Sequence, residues 1–166
     1  MMRLFILAFV VGLLSACHQP STTDHLERQE LQEMSFSEQT LAQYSWQLIE
    51  AKDANSQHID ALFLASEPSQ PITLKFADKT LYIGNLFCNL NSIDIYFKSN
   101  LLYVKQPIIT TMIGCPDNIT LRESTMFDIL VSHPALYLQS RKGQIQLMIE
   151  TPKKDKLIFN VFKINN

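Results

Sequence analysis

Short runs of alternating apolar and polar residues recur about every ten positions along most of the chain. An alternation of period two is typical of β-strands that bury one face. Polar turns separate the runs, for example at Ala77–Lys79 and Arg141–Gly143. We therefore predict an antiparallel meander that closes into a partly open, β-barrel-like sheet. The predicted strands are Tyr44–Leu48, Ile72–Phe76, Thr80–Ile83, Ile93–Phe97, Leu101–Lys105, Ile108–Ile113, Ala135–Gln139, Ile145–Ile149 and Leu157–Val161.

One segment has a helical pattern. Thr120 and Glu123 have the spacing of a capping box, and Pro134 ends the pattern. The apolar residues between them recur at helical intervals and are Met126, Phe127, Leu130 and Val131. Residues 57–71 are compatible with an edge strand or with one helical turn. The predicted fold class is α+β, mostly β, with one helix after Cys115.

The first 16 residues have the features of a bacterial lipoprotein signal peptide. Arg3 precedes an apolar run of about 11 residues, which is too short to span a bilayer comfortably. Leu14–Cys17 then resembles a lipobox, so we expect residues 1–16 to be removed and Cys17 to carry acyl chains such as palmitate. The alternative is an ordinary secretory signal followed by an incidental cysteine. His18 differs from the aspartate that commonly retains lipoproteins in the inner membrane, which implies the periplasmic face of the outer membrane.

An acidic, glutamine-rich stretch follows this cysteine. Five acidic residues between positions 18 and 38 are accompanied by a single arginine, Arg28. Such a composition offers little apolar surface to bury. We expect residues 17–40 to form a flexible tether and residues 41–166 to form one domain, which is long enough for a single core.

Two cysteines remain after Cys17, and both would lie in an oxidising compartment. We expect Cys88 and Cys115 to form a structural disulfide, which would close a loop of about 28 residues and stabilise the fold by roughly 3–4 kcal/mol. Two free thiols or a metal site are the alternatives. A redox pair usually has closer spacing, and the histidines are too scattered for a zinc site. We therefore expect no metal and no cofactor.

Two pairs of nearby polar residues are candidates for catalysis, His58 with Asp60 and Ser132 with His133. No nucleophile elbow accompanies either pair. Neighbouring residues on a regular strand or helix also point apart. We interpret both pairs as surface polar residues and predict that the protein is not an enzyme.

The net charge of −2 gives no basic excess that would favour nucleic acid. Five basic residues fall in two turns near the C-terminus. Solvated turns are the default interpretation, and contact with anionic headgroups or an acidic partner is the alternative. These residues are Arg141, Lys142, Lys153, Lys154 and Lys156.

The ordered set of motifs resembles the META/HslJ-like domain family of bacterial envelope proteins. Trp46–Leu48 opens the domain, and Gly84–Asn89 corresponds to the family's glycine-then-Cys-Asn motif. Thr111–Asp117 corresponds to its Thr-x-Met-x-Cys-Pro-Asp motif, with Ile113 in place of methionine. The resemblance covers roughly residues 41–162. It implies a β-barrel-like sheet with a helix, no established catalysis, and links to heat-shock response, drug tolerance, or secretion and virulence.

The loop after Gly84 is the remaining functional candidate. Asn85, Asn89 and Asn91 cluster there, and Phe87 stands where the family often has glycine. Turn chemistry explains the asparagines without a ligand, whereas an exposed Phe87 would be a contact residue. We expect a lipid-anchored, non-catalytic protein with an envelope-stress or protein-interaction role and an envelope protein as partner. The alternatives are a binding module for a small apolar ligand, such as a lipid or hydrophobic drug, and a redox or hydrolytic enzyme.

Overall fold

The alternating runs form the strands of one antiparallel sheet. The computed structural model describes residues 31–63, 70–85, 91–106 and 114–162. These residues contain nine strands, two α-helices, α1 (Glu38–Gln43) and α2 (Asp117–Val131), and one 3₁₀ turn, Asp60–Leu62. The strands are β1 (Leu31–Met34), β2 (Ser45–Lys52), β3 (Thr73–Ala77), β4 (Thr80–Gly84), β5 (Ser92–Lys98), β6 (Leu101–Val104), β7 (Ala135–Arg141), β8 (Gln144–Glu150) and β9 (Lys156–Phe162).

Strands β2 to β9 pair in sequence order, and β9 returns to pair with β2. The meander therefore closes into a ring, which confirms the predicted α+β, mostly β fold class. The closure is uneven. β7 and β8 are paired from Ala135 to Arg141, whereas β6 and β7 share the single opposed pair Leu101 and Ala135. The predicted strand Ile108–Ile113 lies outside the described residues.

Strand β1 pairs with a part of the β7 edge that β6 leaves unpaired. Leu31 lies opposite Arg141, and Met34 lies opposite Leu138. The flexible tether predicted for residues 17–40 needs correction at its end, because residues 31–40 contain β1 and the start of α1. Strand pairing uses main-chain groups that every residue except proline carries, so a polar composition does not prevent it.

Helix α1 is an additional helix that the sequence pattern did not predict. The hydroxyl of Ser37 accepts a hydrogen bond from the Thr40 backbone N–H at 3.2 Å, which caps the helix. Leu41 is fully buried, and its carbonyl accepts a hydrogen bond from Trp46 Nε1 at 3.0 Å. These contacts fix α1 against the start of β2.

Helix α2 begins three residues before the predicted capping box. Asp117 is its first residue, and Thr120 lies within its first turn and donates from Oγ1 to the Pro116 carbonyl. The prediction of Thr120 as the helix start is therefore wrong. Asp117 explains the earlier start, because an acidic residue is favourable beside the free N–H groups of a first helical turn. No helix in the described ranges is long and apolar enough to span a membrane.

Inward-facing side chains fill the interior of the ring. Trp46 and Phe159 are fully buried there, as are Leu62 of the 3₁₀ turn and Met126 of α2. Helix α2 packs against the 3₁₀ turn and β6. The 3₁₀ turn confirms the helical-turn alternative for the described part of residues 57–71.

Two hairpin turns have positive φ at both central residues. These are Asp78 and Lys79 between β3 and β4, with φ of 50° and 63°, and Lys142 and Gly143 between β7 and β8, with φ of 51° and 77°. Positive φ at both positions matches the twist of the flanking strands. The predicted turns at Ala77–Lys79 and Arg141–Gly143 are thus confirmed.

Candidate functional site: an aromatic row beside a cleft

Three aromatic rings stack side by side on the outer face of β5 and β6. Tyr96 and Tyr103 lie directly opposite each other, with ring centroids 5.1 Å apart and planes inclined by 16°. His133, in the turn before β7, stacks on Tyr103 at a centroid distance of 4.5 Å. Positive φ at His133 (59°) turns the chain at this point. We call Tyr96, Tyr103 and His133 the aromatic row.

A lysine lies over this row. The Nζ of Lys98 is 5.0 Å from the centroid of Tyr103 and 5.9 Å from that of Tyr96. An ammonium group at such a distance is attracted by the negative face of an aromatic ring. The row therefore has an associated cation supplied by the chain itself.

A cleft of about 240 Å³ lies beside the row. Helix α1 contributes Glu38 and Gln39 to its lining, and the β3–β4 turn contributes Asp78 and Lys79. Tyr96 belongs to both the cleft and the row. The two features therefore adjoin at Tyr96.

The base of the cleft is held by packed aromatic side chains. Phe97 and Phe76 line the cleft, with ring centroids 6.2 Å apart. Phe36, just before α1, meets Phe97 edge to face at 5.4 Å. Edge-to-face aromatic pairs stabilise beyond their area of contact, so this base is preformed.

The predicted asparagine loop is described only at its two ends. Asn85 is exposed with a φ of 59°, and its Nδ2 donates to the Pro71 carbonyl at 3.3 Å. The carbonyl of Asn91 accepts from the Ile83 N–H at 2.8 Å. Both contacts belong to turn geometry. Phe87 and Asn89 lie outside the described residues, so their role as an interaction loop stays a prediction.

Packing against β3 explains why residue 84, at the start of this loop, is a glycine. It lies opposite Thr73, and a Cβ on Gly84 would overlap with Oγ1 of Thr73. The glycine therefore permits the close approach of β3 and β4.

Of the three cysteines, only Cys115 lies in the described part of the chain. It is half-buried just before α2 and is engaged in an interaction. Cys17 and Cys88 lie outside the described residues. The lipidation of Cys17 and the Cys88–Cys115 disulfide accordingly remain predictions.

His58 and Asp60 are brought together, contrary to the expectation that they point apart. Nδ1 of His58 and Oδ1 of Asp60 form a hydrogen bond of 2.6 Å, and the imidazole lies 4.5 Å from the ring of Phe63. The expectation applies to regular strands and helices, whereas His58 forms an isolated bridge with Lys52 and Asp60 begins the 3₁₀ turn. The side chains are 50% and 94% exposed.

Ser132 and His133 do not form a pair of the kind that catalysis requires. The Oγ of Ser132 donates to the Ile129 carbonyl at 2.7 Å, and the imidazole of His133 is stacked on Tyr103. Each side chain therefore has its own structural contact.

The C-terminal bases fall at opposite ends of β8, so they do not form one basic surface. Arg141 and Lys142 lie at the β7–β8 turn, and the other three lie at the β8–β9 turn. Lys154 Nζ donates to Glu150 Oε1 at 2.8 Å. That hydrogen bond is the largest cause lowering the pKa of Glu150; burial opposes it, and the charges of Lys154 and Lys156 add to it. The same bond raises the pKa of Lys154.

No group of three or more His, Cys, Asp or Glu side chains in the described ranges could hold a metal ion. The aromatic row was not predicted from the sequence. Strand alternation could have indicated it, because Tyr96 follows Ile95 and therefore points away from the core. The stacking with Tyr103 and His133 depends on strand register and turn conformation, which alternation alone does not specify.

Comparisons with known proteins agree with this fold. The model of the META domain family matches residues 39–162. An NMR structure of a protein from Burkholderia xenovorans aligns with a TM-score of 0.60 and 18% identity, covering 79% of this chain and 92% of that one. A second NMR structure aligns with a TM-score of 0.50 and 16% identity, covering 79% and 99%. No curated protein matches. Since the family model covers most of its length, the chain belongs to the META domain family.

Proposed function

We propose that this protein is a lipid-anchored envelope protein whose META domain binds a partner through the aromatic row and the cleft, without catalysis. The observation that carries the proposal is the position of Tyr96, which is 38% exposed in the aromatic row and is also one of the residues that line the cleft. Exposed aromatic side chains on a rigid sheet are characteristic of contact surfaces, because they offer large contact area with little conformational entropy to lose. An envelope-stress or protein-interaction role fits such a surface.

The polar pairs give no support for an enzyme. His58 and Asp60 lie on the open surface, and Ser132 and His133 have separate contacts. A general base in an active site is normally held in a water-excluding cleft. The META domain family is also not a known enzyme family.

The packed interior of the ring of strands argues against the alternative that an apolar ligand binds inside it. Fully buried side chains such as Trp46, Phe159 and Leu74 occupy it. Protein cores are close-packed, so a drug-sized apolar molecule would have to displace these side chains. The surface beside Tyr96 therefore supports binding better than the interior does.

The anchor has its own test. The protein produced in a Gram-negative host should incorporate labelled palmitate and sediment with outer-membrane vesicles on a density gradient. Cys17→Ser should abolish both, because the acyl chains hold the protein on the membrane. Equal membrane recovery of the Cys17→Ser variant would contradict the anchor.

Photo-crosslinking in intact envelopes tests the binding surface. A benzophenone side chain is placed at Tyr96, Tyr103 or Tyr137 of the full chain. Tyr137 is the matched control, because it is 39% exposed on the outer face of β7 and does not line the cleft. We expect a discrete adduct from Tyr96 and Tyr103 and none from Tyr137. Identical adducts from all three positions, or none from any, would contradict a binding role for the row.

A further inference from the structure

We propose that one end of the ring of strands lies against the anionic phospholipid headgroups of the membrane that holds the lipid anchor. This inference rests on the anchor proposed above and adds an orientation to it. We call this end the entry end, because the chain enters the sheet there at Leu31. It comprises the β3–β4, β5–β6 and β7–β8 turns, which are residues 78–79, 99–100 and 142–143.

Strand direction places these three turns together. Neighbouring strands of the ring are antiparallel, so every second turn of the meander lies at the same end. The β8–β9 turn and the turn after β2 lie at the opposite end. The cleft agrees with this arrangement, because its lining joins the β3–β4 turn with Phe97 near the end of β5. A partner bound in the cleft would therefore also lie close to the membrane.

The pairing of β1 shows where the anchor is attached. Leu31 lies opposite Arg141, the last residue of β7, so the chain reaches β1 beside the β7–β8 turn. Cys17 precedes Leu31 by 14 positions. At no more than about 3.6 Å per residue, this segment spans at most about 50 Å. A domain of this size is roughly 35 Å across, so turning the opposite end toward the membrane would use most of that length. The attachment therefore favours the entry end.

Each turn of the entry end contains or adjoins an exposed basic residue. These residues are Lys79, Lys98, Arg141 and Lys142. Two acidic residues lie near them, Asp78 in the first turn and Glu38 on α1, so the basic residues are in excess. Each Lys or Arg close to an anionic membrane surface strengthens binding roughly fivefold. The charge of the entry end therefore agrees with the position of the anchor.

The opposite end also carries lysines, but carboxylates offset them. Glu150 lies 2.8 Å from Lys154 Nζ and 3.5 Å from Lys156 Nζ. Lys52, at the end of β2, forms an ion pair with Glu50. These pairs reduce the attraction of that end for an anionic surface. The lysines of the β8–β9 turn therefore provide a matched control for those of the entry end.

Vesicle binding tests this surface without the acyl chains. The probe is a vesicle of phosphatidylethanolamine with a minority of phosphatidylglycerol, and the protein is the mature chain from residue 17 onward with Cys17→Ser. Arg141→Gln combined with Lys142→Asn should weaken co-sedimentation about fivefold or more. Asparagine accepts the positive φ of residue 142, so this variant should fold normally.

The matched control is Lys153→Gln combined with Lys156→Gln. It removes the same charge from two exposed positions at the opposite end, and it should weaken vesicle binding less than about twofold. Equal weakening by both pairs of substitutions, or no binding by the Cys17→Ser chain itself, would overturn the inference.

Fluorescence quenching tests the orientation of the acylated protein on the same vesicles. A coumarin amino acid replaces either Gln144, the first residue of β8, or Ala54, in the turn after β2. Both positions are exposed and uncharged, and they lie at opposite ends of the ring. With a nitroxide on the lipid headgroups, we expect stronger quenching at Gln144 than at Ala54. Equal quenching, or stronger quenching at Ala54, would contradict the orientation.

These measurements separate the inference from the anchor on which it rests. Selective loss of vesicle binding in the Arg141 and Lys142 variant, in a protein whose Cys17 takes up no palmitate, would support the surface and contradict the anchor. Palmitate on Cys17 without any difference between the two ends would leave the anchor standing and overturn the inference. If that variant lost a crosslinked protein but kept its vesicle binding, the basic residues would belong to a protein contact, and the inference would be overturned.

Discussion

Replacing Arg122 by methionine tests how α2 is fixed to the ring. Arg122 lies in α2 and its side chain is buried, and its Nε donates to the Leu62 carbonyl at 3.1 Å. Its Nη2 donates to the Gln70 carbonyl at 3.2 Å. The side chain therefore connects α2 with two segments about 50 to 60 residues earlier in the chain.

The expected cost follows from these two bonds. A hydrogen bond from a charged donor contributes about 1.5–3 kcal/mol, and an acceptor left buried without a partner is costly. Methionine keeps an unbranched apolar stem but lacks the guanidinium group, and removal of the buried charge recovers part of its desolvation cost. We therefore expect Arg122→Met to lower the free energy of unfolding by about 2–4 kcal/mol. The corresponding fall in Tm is roughly 10 °C.

Urea unfolding followed by tryptophan fluorescence measures this change. Trp46 is the single tryptophan of the chain and is fully buried, so its emission reports exposure of the core. Leu121→Ala is the control, because Leu121 lies on the same helix and is 56% exposed; it should change stability by less than about 1 kcal/mol. Arg122→Lys should be intermediate, since an ammonium cannot reproduce both bonds of the guanidinium. Arg122→Met stability within about 0.5 kcal/mol of the unaltered chain would refute this account.

Three further outcomes are expected. Gly84→Ala should destabilise by about 1–3 kcal/mol through overlap with Thr73, and Thr73→Ala should rescue it in a double-mutant thermal melt; additive losses would contradict the clash. The lowered pKa of Glu150 means that its ion pair with Lys154 contributes stability above the ordinary glutamate pKa and loses it as the pH falls through the lowered value. Acid titration of Glu150→Gln should accordingly show a shallower loss of stability below about pH 5, with a difference of at most about 1 kcal/mol, and equal slopes would contradict it. Lys79→Gly should raise the Tm by a few degrees, because φ of 63° suits glycine, and a fall in Tm would show that the lysine side chain supports the turn.

The fold could be predicted because its local signals are strong. The runs at Ile72–Phe76 and Ile93–Phe97 alternate regularly, and both form strands with the expected buried face. Polar turn residues between successive runs predicted the hairpins. Strand β1 could not be predicted in the same way, because four residues of mixed polarity give no period. Its pairing depends on the part of the β7 edge that β6 leaves unpaired, which is a feature of the tertiary structure.

Side-chain contacts were harder to predict from the sequence than the strands. His58 and Asp60 meet because the backbone between them is irregular, which no periodicity describes. Arg122 did give a usable signal, since it lies four positions before Met126 and therefore on the apolar face of α2. A polar residue on an apolar face needs buried partners. Their identity, however, is set by long-range packing.

The N-terminal arm, residues 31–43, connects the closure of the ring with the shape of the cleft. β1 pairs with β7, Phe36 packs on Phe97, and α1 supplies Glu38 and Gln39 to the cleft. The family match begins at residue 39, so β1, the Ser37 cap and one cleft residue precede it. A chain cut at the family boundary would lose the cap, which is worth about 1 kcal/mol, and the strand on the β7 edge. Loss of both would loosen α1 and with it one wall of the cleft. The cleft is therefore built jointly by the META domain and the arm that precedes it.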